Sequence, residues 1–598
     1  MAISYNENFY SRYKYELLKK YSHETKIHTI HILDFFLHSC NVLDKEPIDI
    51  ISDSQVWEDE NLVDANLTQL YNITYFSTVF DLESKLITVT DEARECFGWG
   101  TILNTYTHGI ITPDNISNRD FVGFWEYGNI RQYNEFLENI STSTSLNSNF
   151  VVQRMAEVRF LRALHYYNLV MRLGGVPIIT RPQQMNDNNI FISRNTEKEV
   201  YEFIRKELDE IIEILPISYD ADNIGRITKY TALALKSRAM LYAASIAKNG
   251  KMDLNGIIGV PQADANFYFE ESMKASQKIL SDKKFSLYNK YPNDKSKNYQ
   301  YLFLDKNNNE VIFSKKYTVK EFGHDFDYYN QPISYKPFVA SCVNPTLEMV
   351  DSYEFIDGMP GTSINYNQEI ETKELYKNKE PRFHASILYN QAFWIDKEVE
   401  THYFTINSNI NTDKRDNSLG GRGKDVNNTI GAGATQTGFL IKKYLREMRD
   451  VPIGGYSDTD FIVFRLGEVY LNLAEAAFEL GNTDEAIAAI NKIRERAGVP
   501  LYTEIDQEKI RHERKIELAF EGLRYWDVRR WRTAHIELSG VFHKLNTYYI
   551  KERNTFGYLI VNCQGDVSRK FAEQHYYFPL ERKHITENPN IVQNPGYN

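Results

Sequence analysis

The densest run of chemically capable side chains is FEGLRYWDVRRW at 520–531, where Glu521, Arg524, Asp527, Arg529 and Arg530 crowd Trp526 and Trp531. Carboxylates beside guanidinium groups suggest acid–base work. Helical spacing offers another role. Arg524 falls one turn from Glu521 and Asp527 one turn beyond, as ion pairs along a face, with both tryptophans packed inward. That structural reading is the stronger one. The chain has no HExxH, no GxSxG and no GxxxxGKS/T. Gly431-Ala432-Gly433 lies in a loop, without the preceding strand and following helix of a dinucleotide fingerprint. A glycosidase needs two facing carboxylates at a set separation, and spacing selects no such pair from 81 acidic residues.

Sugar binding asks for something else. Pyranose C–H faces stack on Trp or Tyr while hydroxyls pair with Asn, Asp, Gln and Arg, and no shifted pKa is needed. The chain is 14% aromatic, with Tyr leading at 41. Three loop-like segments place aromatics beside such partners. In Phe97-Gly98-Trp99-Gly100-Thr101-Ile102-Leu103-Asn104-Thr105-Tyr106, flanking glycines favour an exposed turn, so Trp99, Asn104 and Tyr106 are candidates. In Asp325-Phe326-Asp327-Tyr328-Tyr329-Asn330-Gln331, Tyr328 and Tyr329 alternate with polar groups as a platform would, or as a strand with one buried face would. Phe393-Trp394, with Arg415, Asp416 and Asn417 in the long loop that follows, supplies Trp394 as a third candidate.

Cys40 is a different kind of site. Lys14, Lys19, Lys20 and Lys26 precede the apolar stretch IHTIHILDFFL (27–37), and Leu37-His38-Ser39-Cys40 follows. A basic region, an apolar stretch and a cysteine after small residues resemble a bacterial lipoprotein signal, in which the cysteine carries a lipid anchor. Asp34, His28, His31 and His38 depart from that pattern, and the other reading is a buried cysteine on an amino-terminal helix. Cys40, Cys96, Cys342 and Cys563 lie far apart with no CxxC pair, which disfavours a zinc site and a disulfide framework.

A net charge of −12 argues against nucleic acid, which needs a basic footprint. No apolar run of about 18 residues exists to span a membrane.

The elements that must carry these residues are mostly helical. In 464–500, Leu466, Val469, Tyr470, Leu473, Ala474 and Ala477 mark one helix face; Gly481-Asn482 stops that helix, and a second runs to Gly498 and Pro500. Helix, turn and helix in about 34 residues is the tetratricopeptide pattern. Periodicity predicts further helices at 128–140, 151–173, 196–215, 228–247 and 263–281, with Thr196 and Glu199 forming a capping box. The expected architecture is a helical-pair frame over 125–285 and 460–532. A loop-rich, partly β region at about 290–460 elaborates it, with strand-like runs at 310–317 and 385–390. The stretch 405–437 reads as a long loop.

These segments resemble the SusD/RagB family of Bacteroidetes surface lipoproteins. The resemblance is carried by AEVRFLRALHYYNLVMRLGGVPII (156–179), RNTEKEVYEFIRKELDEII (194–212), GRITKYTALALKSRAMLYAAS (225–245) and NPTLEMVDSYEFIDGMPG (344–361). PRFHASILYN (381–390), FRLGEVYLNLAEA (464–476), KIRERAGVP (492–500), ERKIELAFEGLRYWDVRRW (513–531) and YYFPLERKHITENPNIVQNPGY (576–597) continue it in order. The resemblance implies a mainly α, tetratricopeptide-like superhelix over one SusD-like domain, 40–598, after a signal region at 1–39. It implies lipidation at Cys40, with Asp44 and Glu46 compatible with surface export, and attachment to the outer face of the outer membrane. It also implies a non-catalytic role without cofactor: capturing oligosaccharide or polysaccharide as a lid on a SusC-like TonB-dependent transporter. The family's use of early aromatics favours the Trp99 segment. Two alternatives remain, a RagB-type lid that captures peptide and an intracellular tetratricopeptide scaffold. A scaffold calls for tandem near-identical repeats, whereas one clear hairpin is present.

Overall fold

The computed structural model describes residues 53–76, 79–81, 84–96, 102–116, 124–335, 341–404, 422–426, 435–566 and 568–597. Two units divide the chain, Met1–Val56 and Trp57–Asn598. The helix Asp53–Val56 is what is described of the first. Cys40 and the signal-like stretch lie outside the described residues.

Helices form where apolar residues recur at helical spacing and a side chain caps the first turn. Helix α1 is Glu60–Ile73, α2 Tyr127–Ser141, α3 Ser148–Leu173, α4 Glu197–Ile211, α5 Lys229–Asn249, α6 Ala265–Ser281 and α7 Lys295–Leu302. Asp59 caps α1 and Asn147 caps α3. Thr196 and Glu199 close the expected capping box on α4. After the short helices α8 (Phe326–Asn330) and α9 (Leu347–Ser352) come α10 (Leu466–Glu479), α11 (Thr483–Ala497), α12 (Gln507–Glu517) and α13 (Arg524–Arg530).

Neighbours in sequence pack on one another from α1 to α6; α6 then packs on α10, and α10 on α11 and α12. The mainly α, paired-helix architecture expected from the sequence is therefore present. Small residues make the central contact possible. Ala232, Ala239, Ala243 and Ala244 of α5 are buried, and Ser237 Oγ meets Ser276 Oγ of α6 at 2.8 Å. Asn472 of α10 donates to the same Ser237 Oγ at 3.0 Å. Gly498 ends α11 with φ 77°, the left-handed conformation that a residue with a Cβ resists.

Most strands are short, and most lie in the middle and end of the chain. Strand β1 (Ala93–Glu95) pairs antiparallel with β3 (Val343–Pro345), and β2 (Val311–Lys315) with β9 (Phe461–Arg465). The pairs β4 (Ile387–Leu388) with β8 (Leu440–Ile441) and β5 (Phe393–Trp394) with β6 (Lys397–Glu398) are also antiparallel. A larger sheet has the order β11-β10-β7: β10 (His543–Ile550) runs antiparallel to β11 (Thr555–Asp566) and parallel to β7 (His402–Phe404).

The 520–531 run is structural, but not through the local pairs expected. Arg524 Nε donates to Asp91 Oδ1 at 2.9 Å and Glu521 accepts from Arg465 and Lys443; Asp527 accepts from Arg514 at 2.8 Å. Arg530–Asp527 is the local member, at 2.9 Å. Burial explains the difference. A charge removed from water needs several close partners, more than one helix turn supplies. Trp526 and Trp531 are buried as expected, with Trp531 Nε1 donating to Glu475 at 2.8 Å.

Candidate functional site

On and around α8 lie the part-exposed aromatics Tyr328, Tyr329 and Tyr335, with Phe393 on the hydrogen-bonded β5–β6 hairpin; together they are termed the aromatic rim. Phe326 anchors this helix, with its ring 5.0 Å from that of Phe80 in the core. Asp327 fixes it from below, accepting from Arg446 N at 2.8 Å and Arg446 Nε at 2.7 Å. Asn330 Oδ1 accepts from Val343 N of β3 at 2.9 Å, and Tyr329 O accepts from Cys342 N at 2.8 Å. Thus held, α8 carries Tyr328 and Tyr329 half-buried, their rings edge to face at 5.1 Å. The segment is a helix, so the strand alternative falls. Two adjacent helical residues point about 100° apart, which is why their rings meet at an angle.

Gln331 links this helix to the β5–β6 hairpin. Its Nε2 donates to Arg446 O at 2.9 Å, and its Oε1 accepts from Trp394 Nε1 at 2.8 Å. Trp394 is 1% exposed, in a small core with Leu388, Val399, Leu440 and Leu445. That corrects its assignment as a sugar platform: a ring closed on both faces and spent at Nε1 has nothing to offer a ligand. Strand alternation puts Phe393 outside instead, at 67% exposure. Tyr335 completes the rim. Its hydroxyl donates to Trp394 O at 2.7 Å and Asp396 Oδ1 at 2.5 Å, and Lys397 Nζ lies 4.0 Å from its ring centre. Arg449 pairs with Asp396. Burial first, and the bond to Asp396 second, push the Tyr335 phenol up to about 12, while that bond holds Asp396 below the usual carboxylate range. Near neutral pH one is a neutral phenol and the other a carboxylate. They suit hydrogen bonding to hydroxyls rather than proton transfer.

The early segment follows a strand that is tied to the α8 neighbourhood through the backbone. Strand β1, which leads into it, pairs with β3 beside α8, matching Glu95 with Val343. Trp99 lies outside the described residues. Asn104 is half-buried on a short helix, Ile102–Thr107. Tyr106, on the same helix, is 5% exposed within the main core. Its assignment as a sugar contact is corrected too: a helix presents one face, and Tyr106 is on the inner one. Arg415, Asp416 and Asn417 lie outside the described residues. Sequence reasoning missed Tyr335, Asp396 and Lys397. The available signal was the pattern Phe393-Trp394-Ile395-Asp396-Lys397, a tight hairpin whose turn and flanks are polar and aromatic.

Comparison with known proteins bears on what such a rim is for. A SusD family model matches residues 309–597, and a second model, described as starch-binding and associating with the outer membrane, matches residues 42–241. The chain is 25% identical over 486 residues to the starch-binding protein SusD of Bacteroides thetaiotaomicron, covering 78% of this chain and 76% of that one. It is 22% identical over 603 residues to the SusD-like protein P38 of Formosa agariphila, covering 94% and 96%. Among solved structures, a SusD-like protein of Bacteroides fragilis aligns with a TM-score of 0.73 and 27% identity, over 92% of this chain and 100% of that one.

Proposed function

The chain belongs to the SusD/RagB family, and from that premise we propose that it captures oligosaccharide or polysaccharide at the outer membrane without cleaving it. It passes the glycan to a SusC-like TonB-dependent transporter and is held at the surface by a lipid on Cys40. The observation that carries the reading is the rim of Tyr328, Tyr329, Tyr335 and Phe393 beside Asp396, Lys397 and Arg449. Flat, part-exposed rings next to fixed donors and acceptors are what a neutral sugar requires. A relative named as starch-binding points the same way. Trp99 and Asn104 extend the proposed site from the early segment; Tyr106 and Trp394 do not belong to it.

Affinity-gel electrophoresis against a panel of neutral polysaccharides tests the reading, with a peptide-mixture pull-down alongside. Retardation by one polysaccharide that is lost in Tyr328→Ala and in Trp99→Ala, with melting unchanged, supports it. Silence across glycans with retention of peptide moves the protein to the peptide-capturing branch. Fractionation of Cys40→Ala tests the anchor: the variant leaves the membrane fraction, and an unchanged distribution overturns lipidation.

A further inference from the structure

Strand β11 forms one edge of its sheet, and its ladder shows which backbone groups are left over. Cys563 N donates to Phe542 O directly across the pair, at 2.8 Å. Alternation then turns the backbone of Val561, Leu559 and Gly557 toward β10 and that of Asn562, Ile560, Tyr558 and Phe556 outward. The outward side is occupied at one end, where Phe556 O accepts from Ile370 N at 3.0 Å. At Ile560 and Asn562 the outward N–H and C=O groups have no partner among the described residues. Edge strands are normally blunted by lysine, proline or other charge. The sequence of β11, TFGYLIVNCQGD, has no charge before Asp566 and no proline.

Beside this open stretch lies a cleft of about 1110 Å³, whose lining includes Leu347, Asp351, Phe542 and Ile560. Ile560 is 46% exposed, whereas Tyr558 and Phe556, on the same side of the sequence toward the hairpin turn, are buried. Tyr558 leads toward the cleft's acidic point. Its ring lies 6.4 Å from that of Tyr366, whose hydroxyl donates to Asp351 Oδ1 at 2.6 Å. Among other carboxylates of the cleft, Glu354 pairs with Arg494 at 3.0 Å and Asp91 with Lys515 at 2.8 Å, while Glu348 meets His543 at 2.6 Å. Asp351 makes no ion pair among the described residues. Burial holds its carboxyl up at about 6, and the Tyr366 hydrogen bond, then the charge of Lys379, offset that only in part.

We propose that this edge and cleft form a docking site for an extended, basic polypeptide segment of a partner protein. The segment adds to β11 as a fourth strand at Ile560–Asn562, lays apolar side chains over Ile560 and Phe542, and directs a lysine or arginine to Asp351. A row of alternating backbone donors and acceptors selects polypeptide over sugar, because strand addition satisfies both kinds of group at once. The missing countercharge selects a basic segment. This inference does not rest on the glycan reading, since it concerns another surface.

The test uses the full chain and a labelled, end-blocked octapeptide, SVTVKVTS, with two controls: glutamate in place of its lysine, and the same sequence with alternate backbone nitrogens methylated. By fluorescence anisotropy the lysine probe saturates, and each control binds roughly tenfold more weakly or worse, the loss expected for one charge-assisted contact or a pair of strand bonds. Asp351→Asn removes the preference for lysine over glutamate. Ile560→Asp, on an exposed side chain, weakens all probes. Hydrogen exchange slows at the Ile560 and Asn562 amides when the lysine probe binds. Both variants keep any glycan retardation of the wild type, which separates failure here from failure of the proposed function. Absence of saturation, equal binding of the methylated probe, or lysine preference surviving Asp351→Asn overturns the proposal. So does sedimentation showing a dimer that protects the same amides without probe.

Discussion

The buried ion network and the aromatic rim use overlapping residue types for opposite ends. In the network, Glu517 accepts from Arg465 at 2.7 Å and Arg382 at 3.0 Å and also pairs with Arg496; all four side chains are buried. Each charge there has ion-pair partners inside the protein, and burial keeps it from any ligand. At the rim, Tyr335, Asp396 and Lys397 are tied to one another but remain accessible. Internal satisfaction makes a group structural; partial satisfaction at the surface leaves it available.

The comparison breaks most visibly at Glu517. Glu517→Ala strands buried guanidinium groups and costs about 3–5 kcal/mol of unfolding free energy, read from urea denaturation. Binding is lost only as folding is lost. At the rim the order reverses: Tyr329→Ala weakens glycan binding about tenfold, the value of one lost aromatic stack, while the urea midpoint stays put. Trp394→Phe sharpens the line between the two. It removes the bond to Gln331, lowering stability by about 1 kcal/mol, and affects binding less than Tyr329→Ala does.

Glu92 offers a pH test of the buried side. Burial is the main influence on it and raises its carboxyl to about 8, although Phe520 N donates to it. The folded state therefore holds a proton that the unfolded chain releases near the ordinary value of about 4.5. The stability this contributes is fully present below about pH 4.5 and is lost as pH rises to about 8. Glu92→Gln is expected to raise the melting temperature at pH 8.5 and change it little at pH 4.5. The smallest effect belongs to the exposed Arg553–Glu369 pair: Arg553→Ala leaves the melting midpoint where it was.

Much of the frame was legible because it depends on local signals. The capping box at Thr196, the Gly481 and Gly498 stops and the alanine-rich face of α5 are written within a few residues of where they act. The rim was half legible. Tyr328 and Tyr329 are visible as aromatics among polar residues, but which of Phe393 and Trp394 faces outward depends on the strand phase, set by a core formed from Leu388, Leu440 and Leu445. Tyr106 misled for the same reason, since its helix face is chosen by distant packing. Long-range ion pairs carry no local signal at all. Nothing near Arg524 announces Asp91.

That pair has a consequence for how the molecule comes into being. Asp91 and Arg524 are 433 residues apart, so the link cannot close until nearly the whole polypeptide has been synthesised. Closing so large a loop is entropically costly, and contacts of this separation slow folding. A chain shortened before α13 leaves Asp91 with Lys515 alone, and the region around β1 loses one of the bonds that tie it to the end of the frame. A late truncation therefore reaches back to residues beside β1 as well as removing those it deletes.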